Sequence, residues 1–197
     1  MNPGASPELI NEAEARLGQE SMNNKDMTSS QSYQKFASGY LNANSWEDCK
    51  DGCPLELLDD LDEQEKEMAE AELIKRLRQD DQWSIAGLGH LRSQRALPML
   101  RELLTQATKS TIAYAALAIW KITRDATMCD VVVQASHRYE TDDGNSPDTY
   151  DMINIVHCLA QFPLGAARDR LQELAKSKNY LVAYNAEHAP EWYSPTS

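Results

Sequence analysis

The chain has 197 residues, 42% of them apolar, with 31 acidic side chains against 19 Lys and Arg and a net charge of −12. This composition suits one domain, or one domain with an appendage, and excludes disorder throughout, while no run approaches the ~18 continuous apolar residues of a membrane span. Four cysteines are too sparse for a disulfide scaffold, and the opening Met-Asn-Pro-Gly-Ala-Ser lacks the basic and apolar stretches of a secretory signal, so a soluble, cytosolic protein is expected.

The first predicted helix starts at Ser6-Pro7-Glu8, where Ser6 caps, Pro7 suits the first helical position and Glu8 meets the positive end of the dipole. It runs to about Leu17 and stops at Gly18. Residues 19–30 are polar and without period, which predicts a loop or flexible linker. Tyr33, Phe36, Ala37, Tyr40 and Leu41 then fall at helical spacing and form one aromatic stripe expected to dock this N-terminal region onto the rest of the chain. Ser45 to Pro54 reads as turn, broken by Gly52 and Pro54. From Leu55 to Arg78 the pattern predicts one long helix, with Leu61, Met68, Ala71, Ile74 and Leu77 on its buried edge.

From Asp80 the pattern changes to paired short helices. Asp80 or Asp81 caps a run that buries Trp83, Ile85, Leu88 and Leu91. The next helix buries Leu97, Leu100, Leu103, Leu104 and Ala107, and Pro98 is tolerated in its first turn because an N–H there has no helical acceptor. The pair repeats with Ile112, Ala116, Ile119 and Trp120, then Met128, Val131, Val132 and Ala135. It repeats again with Ile153, Val156, Leu159 and Ala160, then Leu171, Leu174 and Ala175. Leu88 and Leu117 match at an interval of 29 residues, whereas the next interval is lengthened by an insertion between Tyr139 and Tyr150. Two-helix periods of this size predict a stacked α-solenoid in which each pair buries its face against its neighbours.

Trp83-Ser-Ile-Ala-Gly-Leu-Gly-His-Leu91, followed by Arg95-Ala-Leu-Pro-Met-Leu-Arg-Glu-Leu-Leu104, resembles a short bacterial HEAT repeat, in which an Ala/Gly/Leu-rich first helix meets an Ala-Leu-Pro-x-Leu second helix. The resemblance covers roughly residues 80–177 and is clearest in the first unit; Val131-Val132-Val133 departs from the pattern, and the later units lack an equivalent of Pro98. It implies an all-α fold, an α-α superhelix of HEAT-like helix pairs with an N-terminal helical cap. Residues 1–54 would form the helical extension with its flexible linker, and residues 55–197 the solenoid. The family implies protein binding and supplies no shared catalytic residues.

No constellation argues for catalysis. Gly87-x-Gly89 is half of a nucleotide fingerprint, but Arg92 stands where glycine is needed and no strand precedes it; the glycines suit close helix approach instead. Cys49 and Cys53 lie in one turn, and a zinc site would need two further ligands, for which only Cys129, Cys158, His137 and His157 are available, none forming a second close pair. Free thiols are the simpler reading, so no metal and no cofactor are expected. His157 falls on a helix expected to be buried and reads as a satisfied core histidine. HEAT-like iron hydroxylases use paired His-Glu motifs that this chain lacks, and HEAT-like DNA glycosylases need a basic channel.

Charge is unevenly placed. Residues 1–80 hold 18 acidic and 8 basic side chains, residues 81–140 hold 5 and 7, and residues 141–197 hold 8 and 4. Glu47 to Glu72 carries 12 carboxylates against Lys50 and Lys66, and Glu140, Asp142, Asp143, Asp148 and Asp151 form a second cluster. Such a field repels phosphate backbones and anionic membranes and favours a basic protein partner, against the plainer reading of a solvating surface. The expectation is a non-catalytic module, an inhibitor or immunity protein that neutralises a basic partner such as a nuclease toxin, binding neither nucleic acid nor membrane. Its contact residues would be Glu102, Asp130, Gln134 and His137 on the second helices, with the acidic loop Asp142, Asp143, Asp148 and Asp151 beside them. The alternative is a HEAT-like enzyme, lyase or chaperone that uses the concave groove for a small molecule or nucleic acid.

Overall fold

The computed structural model describes residues 30–43, 52–77, 81–141 and 146–193. The helix expected at Ser6 to Leu17, most of the adjoining linker, Cys49, and the insertion residues Asp142 and Asp143 lie outside the described residues. Within them the chain is all-helical, with helices packed against their neighbours and no strand. It divides into two compact units, residues 1–65 and 66–197.

In the first unit, helix α1 (Gln31–Phe36) starts at Ser30, whose hydroxyl oxygen accepts the Tyr33 N–H at 3.0 Å. It runs on as one wide π-helical segment, Ala37–Leu41. The aromatic stripe forms as expected: Phe36 and Tyr40 are buried, and successive ring centroids are 5.7 and 5.3 Å apart from Tyr33 to Tyr40. Helix α2 (Glu56–Asp59) packs on α1 and buries Leu58. Gly39 permits a close approach to it, since a Cβ there would lie 3.1 Å from Leu57 Cδ1.

The single helix expected from Leu55 to Arg78 is two. Helix α2 ends at Asp59, and α3 (Glu63–Arg76) starts afresh. The cause is a reciprocal capping box: the Glu65 N–H donates to Asp62 Oδ1 at 2.8 Å and the Asp62 N–H donates to Glu65 Oε2 at 3.0 Å. Satisfying two N-terminal donors at once makes Asp62 a helix start and not an interior residue. Ser30 also donates its hydroxyl to Glu65, which is buried. The buried line is therefore Leu61, Glu65, Ala69 and Leu73, at i, i+4 spacing. Met68, Ala71, Ile74 and Leu77, expected on that edge, are only half-buried.

The second unit holds the rest of α3 and then α4 (Gln82–His90), α5 (Leu97–Gln106), α6 (Ser110–Thr123), α7 (Thr127–Tyr139), α8 (Asp148–Ala160), α9 (Gly165–Leu174) and α10 (Tyr180–Trp192). Asp81 supplies the α4 cap by accepting the Ser84 N–H at 3.0 Å. Pro98 stands in the first turn of α5. Each helix packs on the next from α5 to α10, and the even-numbered helices also pack on one another: α4 on α6, α6 on α8, α8 on α10. Ile85, Leu88, Leu100, Leu103, Val132, Val156, Leu159, Leu171 and Leu174 are buried as their spacing predicts, whereas Trp83 and Leu91 are half-buried.

Helix α6 is the centre of this packing and buries residues on nearly every side. Four alanines, Ala113, Ala115, Ala116 and Ala118, let neighbours approach closely. At the tightest point a Cβ on Gly89 of α4 would meet Ala118 Cα at 2.8 Å and Ala118 Cβ at 2.9 Å, so only glycine fits.

Candidate interaction surface

The residues expected to contact a partner separate into two groups. Glu102 on α5, and Asp130, Gln134 and His137 on α7, are all exposed. Basic side chains stand among them, Arg101 on α5 and Arg138 on α7, both also exposed. The exposed sides of α5 and α7 are therefore mixed in sign.

Asp148 and Asp151 are placed differently. Both lie in the first turn of α8, where Lys109 Nζ reaches Asp148 at 3.0 Å and Asp151 at 3.4 Å. The hydrogen bond that the Lys109 ammonium donates to Asp148, followed by the charge of both carboxylates, raises its pKa. Asp151 is also the acceptor for Ser110, whose hydroxyl donates at 2.6 Å. These two acids fasten the start of α6 to the start of α8. Glu140, a third member of the cluster, accepts from Arg170 Nη2 at 2.6 Å.

That Arg170 is a residue that sequence pattern alone does not single out. Its side chain is only 5% exposed, and the three guanidinium nitrogens serve three acceptors: Nε donates to Ser136 Oγ at 2.7 Å, Nη1 to Glu173 at 3.0 Å and Nη2 to Glu140. A buried guanidinium needs such complete pairing, and its fork shape makes it possible.

The even-numbered helices carry a second set of side chains to which the sequence pattern assigns no role. Gln82 Nε2 donates to Ser110 Oγ at 2.9 Å between α4 and α6. Between α6 and α8 stand Ser110 to Asp151, Lys121 Nζ to Gln161 Oε1 at 2.8 Å, and the Tyr114 hydroxyl with Asn154 Oδ1 at 3.5 Å. From α8 to α10, Asn179 Nδ2 donates to Thr149 Oγ1 at 3.0 Å, and His157 Nε2 meets Asn185 Oδ1 at 3.1 Å. The offsets are 28 residues from α4 to α6, 40 or 41 across the insertion, and 28 or 30 from α8 to α10. The first offset is one residue short of the 29-residue apolar interval, and the second shares its lengthening at the insertion; that recurrence was the available signal.

His157 is half-buried, with both ring nitrogens engaged. The Asn185 amide nitrogen donates to the Leu181 carbonyl at 2.8 Å, which turns its oxygen toward His157. Nε2 must then carry the proton, and Nδ1 accepts from the Tyr193 hydroxyl at 3.2 Å. Burial lowers the pKa of this imidazole, and the Asn185 bond opposes the shift only in part. Burial also pushes the Cys158 thiol up to about 12, which keeps it protonated and unreactive. Cys53 donates its thiol to the Tyr40 hydroxyl at 3.1 Å. Among the described residues no three His, Cys, Asp or Glu side chains are placed to hold a metal ion, and no helix is long and apolar enough to cross a membrane.

Together these positions give an exposed, mixed-charge side on α5 and α7, and a row of hydrogen-bonded polar side chains along α4, α6, α8 and α10. No protein-family model, no curated protein and no solved structure matches the chain.

Proposed function

We propose that the chain is a non-catalytic protein-binding module, a HEAT-like α-α superhelix that acts as an inhibitor or immunity protein on a basic partner. The observation that carries this reading is the repetition of one inter-helix relationship: α4, α6, α8 and α10 each pack on the next, joined by side-chain hydrogen bonds at recurring offsets. Stacks of that kind bury each unit only against its neighbours and leave long faces for a partner.

The acidity of the chain sets the kind of partner. Glu56, Asp59, Asp60, Asp62 and Glu63 are all exposed, and no basic residue stands between the first and the last of them. A basic protein is drawn to such a stretch over several ångströms, which raises its association rate. Asp148 and Asp151 contribute less to this field than their charge suggests, because Lys109 offsets one of their two negative charges. Contact itself falls to exposed residues such as Glu102, Asp130, Gln134 and His137.

Affinity capture from the native cell, with mass spectrometry, tests the reading. A single stoichiometric basic protein is expected. The paired reversals Glu56→Lys/Asp60→Lys and Glu102→Lys/Asp130→Lys should then slow its association at low salt without moving the melting temperature. Absence of any stoichiometric protein, or wild-type association by both reversed variants, overturns it; a bound small molecule instead would favour an enzyme or chaperone.

A further inference from the structure

We draw no further inference here: the strongest candidate, the exposed surface patch of Tyr180, Leu181 and Tyr184 on helix α10, carries none because nothing in the structure shows what covers it.

Discussion

Ser110 and Asp151 are joined across 41 residues by a 2.6 Å hydrogen bond from hydroxyl to carboxylate, and the Ser110 backbone N–H points at the same oxygen from 3.4 Å. Ser110 is the first residue of α6 and almost wholly buried, so this carboxylate serves as a cap supplied by another helix. Asp151→Ala leaves the buried hydroxyl without that acceptor and should cost about 1–3 kcal/mol. Asp151→Asn, which keeps an acceptor, should cost less than half of that. Urea unfolding of the two variants decides the matter: an alanine variant as stable as the wild type would mean that the bond contributes nothing net.

Gly89 is the second test of the packing between even-numbered helices. Gly89→Ala puts a methyl 2.8 Å from Ala118 Cα, a backbone atom that cannot rotate aside. Overpacking of this kind costs about 1–3 kcal/mol, and the loss should be seen in the melting temperature. Ala118→Gly should not rescue it, because the clash with the Cα remains. Full rescue would show that the helices are free to separate at this point.

Three basic residues have a positive φ: Arg92 at 53°, Lys109 at 53° and Arg124 at 62°. Glycine takes this conformation without the Cβ penalty. Arg92 is exposed, and Arg92→Gly should raise stability by up to about 1 kcal/mol. Arg124 holds its guanidinium 4.7 Å over the Trp120 ring, a contact that offsets the backbone cost. Arg124→Gly should accordingly gain less than Arg92→Gly. Thermal unfolding of the two variants side by side measures the difference, and a larger gain at Arg124 would contradict the stacking argument.

His157 makes stability depend on pH. Its folded pKa lies below the ordinary value because burial disfavours the imidazolium. The unfolded imidazole titrates near ~6.5 and so binds more protons than the folded one below that point. The stabilisation is complete above the unfolded value and is lost as pH falls through it toward the folded pKa. His157→Gln removes the titration while retaining an amide that can both donate and accept. Stability measured by denaturant between about pH 7.5 and pH 5.5 should fall more steeply for the wild type than for the variant. Parallel slopes would sink this assignment.

The helix pairs were legible because two signals agreed in them: apolar spacing near 3.6 residues and caps or breakers at the ends. Asp81, Pro98 and the insertion before α8 all stand where those signals place them. The break between α2 and α3 was not, because Leu55 to Arg78 consists mostly of strong helix formers around Asp59, Asp60 and Asp62, and the Asp62–Glu65 capping box looks like two more solvated acids until Glu65 is found buried. The acidic cluster was misleading for a related reason. Composition reports Glu140, Asp148 and Asp151 as charge, while geometry shows them bound to Arg170, Lys109 and Ser110. Partners that come from 30 or 41 residues away leave no local trace. Exposed Glu102, Asp130, Gln134 and His137 followed directly from being off the apolar stripe of their helices.

The burial of α6 has a kinetic corollary. Ten of its 14 residues are shielded, from Ser110 to Ile122, by helices on both sides in sequence. Its amides can exchange with solvent only when α4 and α5, or α7 and α8, have first come away, so opening proceeds inward from the ends of the second unit. Deuterium uptake should therefore be slowest in α6 and should quicken stepwise toward α10, whose flank has one even-numbered neighbour in place of two. The middle of the chain, whose net charge is the nearest to zero of its three parts, would be the segment around which refolding starts and the last to let go.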